Sequence, residues 1–350
     1  MNFSKKEIEL LTKQNLTIKD WFEFFGNSHN NNSHSNNYVD NYIDYSYSYC
    51  KSIALGHYEN FPVASIILPQ KYRKHIFAVY AFSRLADDIA DDCPFWDKEI
   101  KIEKLNNLIE LIRSNLSNKN NDFFHPILSS VIYTINEFEL EISLFERLIN
   151  AFKYDADFRE FDTFENVINY CDNSANPIGE IILNIFGEIN KYNPSNQNRY
   201  NLVIEKSNAL CTALQLVNFW QDFSRDKVNN RFYISNDILN KYNSNLEKFY
   251  YSDLNNAKKE LILKDIYKKT EYFFENSKDL FNFIDNKRLS FELLLIYYSG
   301  YRTFSKVQDL NEDIINFRPK LTKKDLIYVF RKSIANYFKY KLIAQLHKNK

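Results

Sequence analysis

The chain is poor in the residues that turn a backbone: 350 residues include only 5 Gly and 7 Pro. Strands joined by tight turns need both. Their scarcity, with long segments of helical apolar period, argues for an almost all-α protein. Neither sign of charge prevails, since 45 Lys and Arg balance 45 Asp and Glu, and nothing suggests a nucleic-acid partner. No apolar run approaches the length of a membrane span. The start, Met1-Asn2-Phe3-Ser4-Lys5-Lys6-Glu7, does not read as a secretory signal, so the expectation is a cytoplasmic protein, soluble or peripheral to a membrane. Cys50, Cys93, Cys171 and Cys211 show no paired spacing and read as buried thiols of a reducing compartment.

What the chain does have is two ladders of acids. Asn218, Asp222 and Asp226 recur every four residues in Asn218-Phe219-Trp220-Gln221-Asp222-Phe223-Ser224-Arg225-Asp226. On a helix that spacing stacks them on one face, at the end of the mostly apolar stretch 210–217. Stacked carboxylates repel, and each resists leaving water. A bound cation resolves both problems, and Mg2+ suits an oxygen set shared with a substrate phosphate. A second ladder, Asp87 and Asp91, lies in Arg84-Leu85-Ala86-Asp87-Asp88-Ile89-Ala90-Asp91-Asp92. Asp88 and Asp92 repeat the spacing one residue round. Facing each other, the two helices would form an acid-lined mouth needing several divalent ions. Arg84 either binds an anion brought by those ions or neutralises the aspartates.

Around the ladders the expected organisation is a leader, residues 1–37, and a catalytic unit, residues 38–350. The leader holds an amphipathic helix over 5–25 and an Asn/Ser/His run over 27–37 that reads as a loop. Helices are expected over 40–55, from 71 into the first acidic cluster, and over 100–116, 142–158, 164–186, 198–223, 257–284, 289–307 and 323–345, with another starting at His125-Pro126 and a basic turn at 227–231. Within 164–186, Pro177 is expected to kink a helix. Ala175, Pro177 and Gly179 there either open space for a long ligand or form a packing notch. Residues 320–350 hold nine Lys and Arg against one acid, Asp325. That basic, amphipathic segment either rests on an anionic membrane surface or packs on its own domain.

Together, Asp87-Asp88-Ile89-Ala90-Asp91 after Tyr80 and Arg84, with Gln215, Asn218, Asp222 and Asp226, resemble the squalene/phytoene synthase family over roughly residues 40–320. The resemblance implies the all-α isoprenoid synthase fold, a helical bundle around a central cavity with two facing Asp-rich helices. Three stretches, Gly56-His57-Tyr58-Glu59-Asn60-Phe61-Pro62-Val63-Ala64-Ser65, Ser174-Ala175-Asn176-Pro177-Ile178-Gly179 and Leu216-Val217-Asn218-Phe219-Trp220-Gln221-Asp222, resemble the hydroxysqualene synthase branch of bacterial hopanoid pathways. This implies conversion of presqualene diphosphate and water to hydroxysqualene and diphosphate.

By the same resemblance, Asp87, Asp91, Asn218, Asp222 and Asp226 would hold two or three Mg2+ ions. His57, Tyr58, Glu59, Asn60, Tyr80, Arg84 and Gln215 match positions that contact a prenyl diphosphate. Tyr170 matches the catalytic tyrosine, and Tyr301 and Arg318 match positions near the diphosphate. Gln221 stands where phytoene and dehydrosqualene synthases usually carry Arg. Loss of that cation fits the hydroxysqualene branch better than the condensation of two farnesyl diphosphates, which stays the rival within the family; a non-catalytic lipid-binding assembly protein is the rival outside it. No Gly-rich dinucleotide loop is present and no nicotinamide is expected. A monomer is the expected state.

Overall fold

Apolar residues at helical spacing, few breakers, and Pro at helix starts produce a chain of helices. The computed structural model describes residues 35–56, 65–91, 96–116, 125–189, 197–251 and 256–348, and among them there is no strand. The 5–25 helix and most of the 27–37 loop lie outside the described residues, as does Cys93. The chain divides into two units between Asp157 and Phe158.

The first unit contains α1 (Ser35–Gly56), α2 (Gln70–Ala90), α3 (Lys98–Leu116), α4 (Pro126–Phe138) and α5 (Ile142–Ala156). Helix α2 packs against the other four. Pro69 precedes it and Pro126 opens α4, positions where the missing N–H costs nothing. Phe82, Leu85 and Ile89 of α2 are fully buried, spaced three and four apart, so one stripe of the helix builds the core. A polar knot joins three of the helices: the Tyr47 hydroxyl lies 3.0 Å from His75 Nδ1 and 3.1 Å from Thr134 Oγ1. Burial, with the nearby Lys74 charge, lowers the His75 pKa to about 4 and keeps the ring neutral.

The second unit is built on α8 (Gln197–Gln221), which packs against α6 (Phe164–Ser174), α7 (Asn176–Ile185), α12 (Asn256–Ser277) and α14 (Lys287–Asp309). Covered on several sides, α8 is apolar around much of its circumference. Trp220 is fully buried and donates its Nε1–H to Thr270 Oγ1 of α12 at 2.8 Å. Short helices α9 (Phe223–Asn229), α10 (Asn236–Lys241), α11 (Leu246–Tyr250) and α13 (Leu280–Phe283), a 3-10 turn (Asn311–Ile315) and α15 (Lys323–Lys348) complete the unit. The expected basic turn at 227–231 is instead helical to Asn229, with Asn230 in the left-handed region at φ 53°.

The expected kinked helix over 164–186 is two helices. α6 ends at Ser174, Ala175 breaks the ladder, and Pro177 lies in the first turn of α7. Buried Asn176 holds the junction, donating to Asp172 Oδ1 at 2.5 Å and accepting from Thr212 Oγ1 of α8 at 3.1 Å. Gly179 is a packing notch: a Cβ there would meet Ser207 Oγ at 2.6 Å and Cys211 Sγ at 2.7 Å. Cys50, Cys171 and Cys211 are free thiols. Burial raises all three, Cys50 and Cys211 to about 12, so they stay protonated and unreactive.

Candidate active site

The first ladder closes α2. The Asp91 N–H donates to the Asp87 carbonyl at 2.8 Å, so the two carboxylates share one face as their spacing requires. They stand at the negative end of the helix macrodipole, the least favourable end for an acid. Cations gather there in response. Arg84 reaches Asp87 at 3.1 Å and also pairs with buried Asp88. Lys101 of α3 donates to the Ala90 carbonyl at 2.7 Å. Asp87 is half-buried and Asp91 exposed; Tyr80, two turns before Asp87, is half-buried. Of the two roles open to Arg84, anion binding and neutralisation, these ion pairs display the second and leave the first to a bound anion.

The second ladder runs across the end of α8. Helix α8 stops at Gln221, yet Asp222 N–H donates to the Asn218 carbonyl at 3.0 Å and Asp226 N–H to the Asp222 carbonyl at 2.9 Å. The three side chains stay in register through the one-residue break, and all three are half-buried. Gln215, also half-buried, lies one turn earlier on α8.

The segment after the 3-10 turn closes on this ladder. Arg318 clasps Asp222 with two nitrogens, Nε to Oδ1 and Nη2 to Oδ2 at 3.4 Å. The next residue is held too, because Gln221, fully buried, donates its amide N–H to the Pro319 carbonyl at 2.7 Å. Gln221 thus reaches the backbone rather than solvent and fixes the segment that delivers Arg318. Replacing Gln221 by Ala orphans that carbonyl, so a stability loss of about 1–2 kcal/mol is expected in chemical denaturation. If the ladder carries the diphosphate chemistry that the family resemblance implies, diphosphate release should fall about tenfold as Arg318 loses its seat. Unchanged turnover would separate Gln221 from the site.

Tyr170 sits near the end of α6, buried in a nest of rings. Its ring centroid lies 5.8 Å from Phe161, 5.9 Å from Phe219 and 5.8 Å from Tyr233, and Phe219 stacks on Tyr233 at 3.9 Å. Phe219 directly follows Asn218, so the nest adjoins the second ladder along α8. Phe161 and Tyr233 were not marked by sequence: both lie outside the long helices, where no period singles out a ring. Tyr301 turns elsewhere, donating to Glu271 of α12 at 2.9 Å. Burial, then that carboxylate, raise its hydroxyl to about 12, and it stays a donor. His57, Tyr58, Glu59 and Asn60 lie outside the described residues.

The donor set is oxygen from Asp and Asn, which suits a hard cation such as Mg2+ and not a thiol-seeking metal. Among the described residues, no group of three or more His, Cys, Asp or Glu is placed so as to hold a metal ion, so there is no all-protein metal cage. Mg2+ rarely uses one; it takes one or two carboxylates and completes its shell with water and substrate phosphate. The columns of carboxylates, each already drawing a guanidinium, fit that pattern.

Residues 55–325 match the squalene/phytoene synthase family. A hydroxysqualene synthase of Zymomonas mobilis is 29% identical over 243 residues, which is 68% of this chain and 75% of that protein. The crystal structure of squalene synthase HpnC from Alicyclobacillus acidocaldarius shares 26% identity at a TM-score of 0.66, covering 77% of this chain and 95% of that one. A dehydrosqualene synthase structure, 18% identical with a TM-score of 0.70, covers 86% of this chain and 100% of that one. These likenesses give the all-α isoprenoid synthase fold.

Proposed function

Because the chain belongs to the squalene/phytoene synthase family, we propose that it is a Mg2+-dependent hydroxysqualene synthase of squalene and hopanoid biosynthesis. It would convert presqualene diphosphate and water to hydroxysqualene and diphosphate without a nicotinamide. The observation that carries the choice of branch is Gln221. A neutral, buried amide occupies the place beside Asp222 where condensing members usually carry Arg, and its hydrogen bond goes to Pro319. The Zymomonas mobilis relative named hydroxysqualene synthase supports the same branch.

In this reading Asp87, Asp91, Asn218, Asp222 and Asp226 supply oxygen ligands. Mg2+, when bound, neutralises the charge that builds on the departing diphosphate. By the family resemblance, Arg84, Arg318 and Gln215 would bind and orient the diphosphate oxygens, the arginines through charge-assisted hydrogen bonds, and His57, Tyr58, Glu59, Asn60 and Tyr80 would contact the same substrate; the Tyr301 hydroxyl is engaged by Glu271. The C–O bond to diphosphate breaks with its electron pair leaving on oxygen. A cyclopropylcarbinyl cation remains, and the ring nest of Phe161, Tyr170, Phe219 and Tyr233 presents faces that attract it. Ring opening moves the charge. Water then adds to the cation and loses one proton, and the Tyr170 hydroxyl orients that water or passes the proton on.

Ligand-linked stability tests the binding half of this reading. Diphosphate with Mg2+ is expected to raise the unfolding temperature by several degrees at about a hundredfold excess over Kd. Diphosphate alone or Mg2+ alone should do little. A non-catalytic lipid-binding relative would show no such synergy, and its absence would overturn the proposal.

A further inference from the structure

Helix α15 presents a surface that the proposed reaction does not use. Asp325, Val329 and Ser333 recur every four residues and are buried. Asp325 accepts from Arg302 Nε at 2.7 Å and Lys306 Nζ at 2.8 Å, so this row fastens the helix to α14. The adjacent row, one residue on, is Leu326, Phe330, Ile334 and Phe338, with exposures of 51, 49, 37 and 68%. Ile327 widens it at 59%. Beyond lie Lys324, Arg331, Lys332 and Lys339, all exposed. The acid of this stretch, Asp325, is already matched by two cations. The result is a strip of large apolar side chains bordered by uncompensated positive charge, on a chain whose net charge is zero.

Scattered exposed hydrophobes are ordinary, but a contiguous strip is not. Its occupant must offer an apolar bed and negative charge together. A second copy meets the strip poorly, since a two-fold contact brings like basic rows together. An anionic bilayer offers both requirements in the right order, acyl chains below a plane of phosphates. We propose that this face of α15 docks the protein on an anionic lipid surface, with Leu326, Ile334 and Phe338 at the acyl boundary and the basic rows on the headgroups. The inference does not rest on the reaction proposed above, and its test involves no turnover.

The test is flotation of the full-length protein with vesicles of phosphatidylcholine alone or mixed with phosphatidylglycerol. Binding is expected to the mixed vesicles, with release at high salt. The variant Leu326→Ser/Ile334→Ser/Phe338→Ser spares the buried row, and Phe330, whose ring meets Phe291 at 6.2 Å; its affinity should fall at least about tenfold. Reversal by Lys324→Glu/Arg331→Glu/Lys332→Glu should lose at least about a hundredfold, near fivefold for each of the three positive charges removed, with the added negative charges deepening the loss. Thermal unfolding of both variants should match the parent, which assigns the losses to the surface. Failure of the parent to bind mixed vesicles would overturn the proposal. So would equal binding by the variants, or a parent dimer that the serine variant dissolves.

Discussion

Asp222→Ala is expected to slow diphosphate release about a thousandfold while leaving the fold intact. The two halves of that expectation have separate causes. Asp222 and Arg318 are 26% and 15% exposed, so loss of their ion pair costs about 1–2 kcal/mol. Removing one acid from a ladder of like charges relieves repulsion and offsets part of that cost. Stability should therefore fall by no more than about 2 kcal/mol in urea titration. The rate, by contrast, depends on charge placed against the leaving group, where each lost ligand is worth several kcal/mol. Asp87→Ala should behave alike. If the ladders serve one set of ions, the double variant should be scarcely slower than either single one, as expected for groups acting as a unit. Near-normal turnover in either variant would contradict the scheme.

Asp325→Ala should do the reverse, loosening the protein with little direct effect on chemistry. Its carboxylate accepts from Arg302, Lys306, Thr322 Oγ1 at 2.6 Å and Thr322 N–H at 2.8 Å. Burial alone would raise its pKa, but the bonds from Lys306, Thr322 and Arg302 outweigh burial and hold the group well below the usual carboxylate range. Truncation leaves two cations without their counter-charge, at a cost of about 2–4 kcal/mol. The sign with pH follows. A depressed folded pKa contributes stability above the ordinary Asp value of 3.8, and that contribution drains away as pH falls below it. The parent should therefore lose stability from about pH 4 downward more steeply than Asp325→Ala in denaturant titrations. Superimposable pH profiles would remove Asp325 from its assigned role.

Much of this architecture is legible because a helix converts spacing into direction. The period of four in Asn218, Asp222 and Asp226 predicts a shared face, and the backbone bonds through Asp222 bear it out. The scarcity of Gly and Pro likewise predicts the absence of strands seen among the described residues. What local pattern could not supply was partnership at a distance. Arg318 and Asp222 are 96 residues apart, Gln221 and Pro319 98, and nothing in either stretch names the other. The division at Ala175 was misread as a kink because Pro177 was legible while the side chain holding the junction, Asn176, bonds to Thr212 in another helix. The break at Asp222 escaped notice for a similar reason, since neither Gly nor Pro marks the end of α8 at Gln221. At the C-terminal helix both expectations bear on one element: the row from Asp325 packs, and the row from Leu326 stays exposed.

The most direct measurement of the central claim is the lipid formed when the purified protein meets presqualene diphosphate and Mg2+ with no nicotinamide present. The account predicts hydroxysqualene and one equivalent of diphosphate, with no product when Mg2+ is withheld. Unchanged presqualene diphosphate, in a preparation that instead joins two prenyl diphosphates, would contradict it.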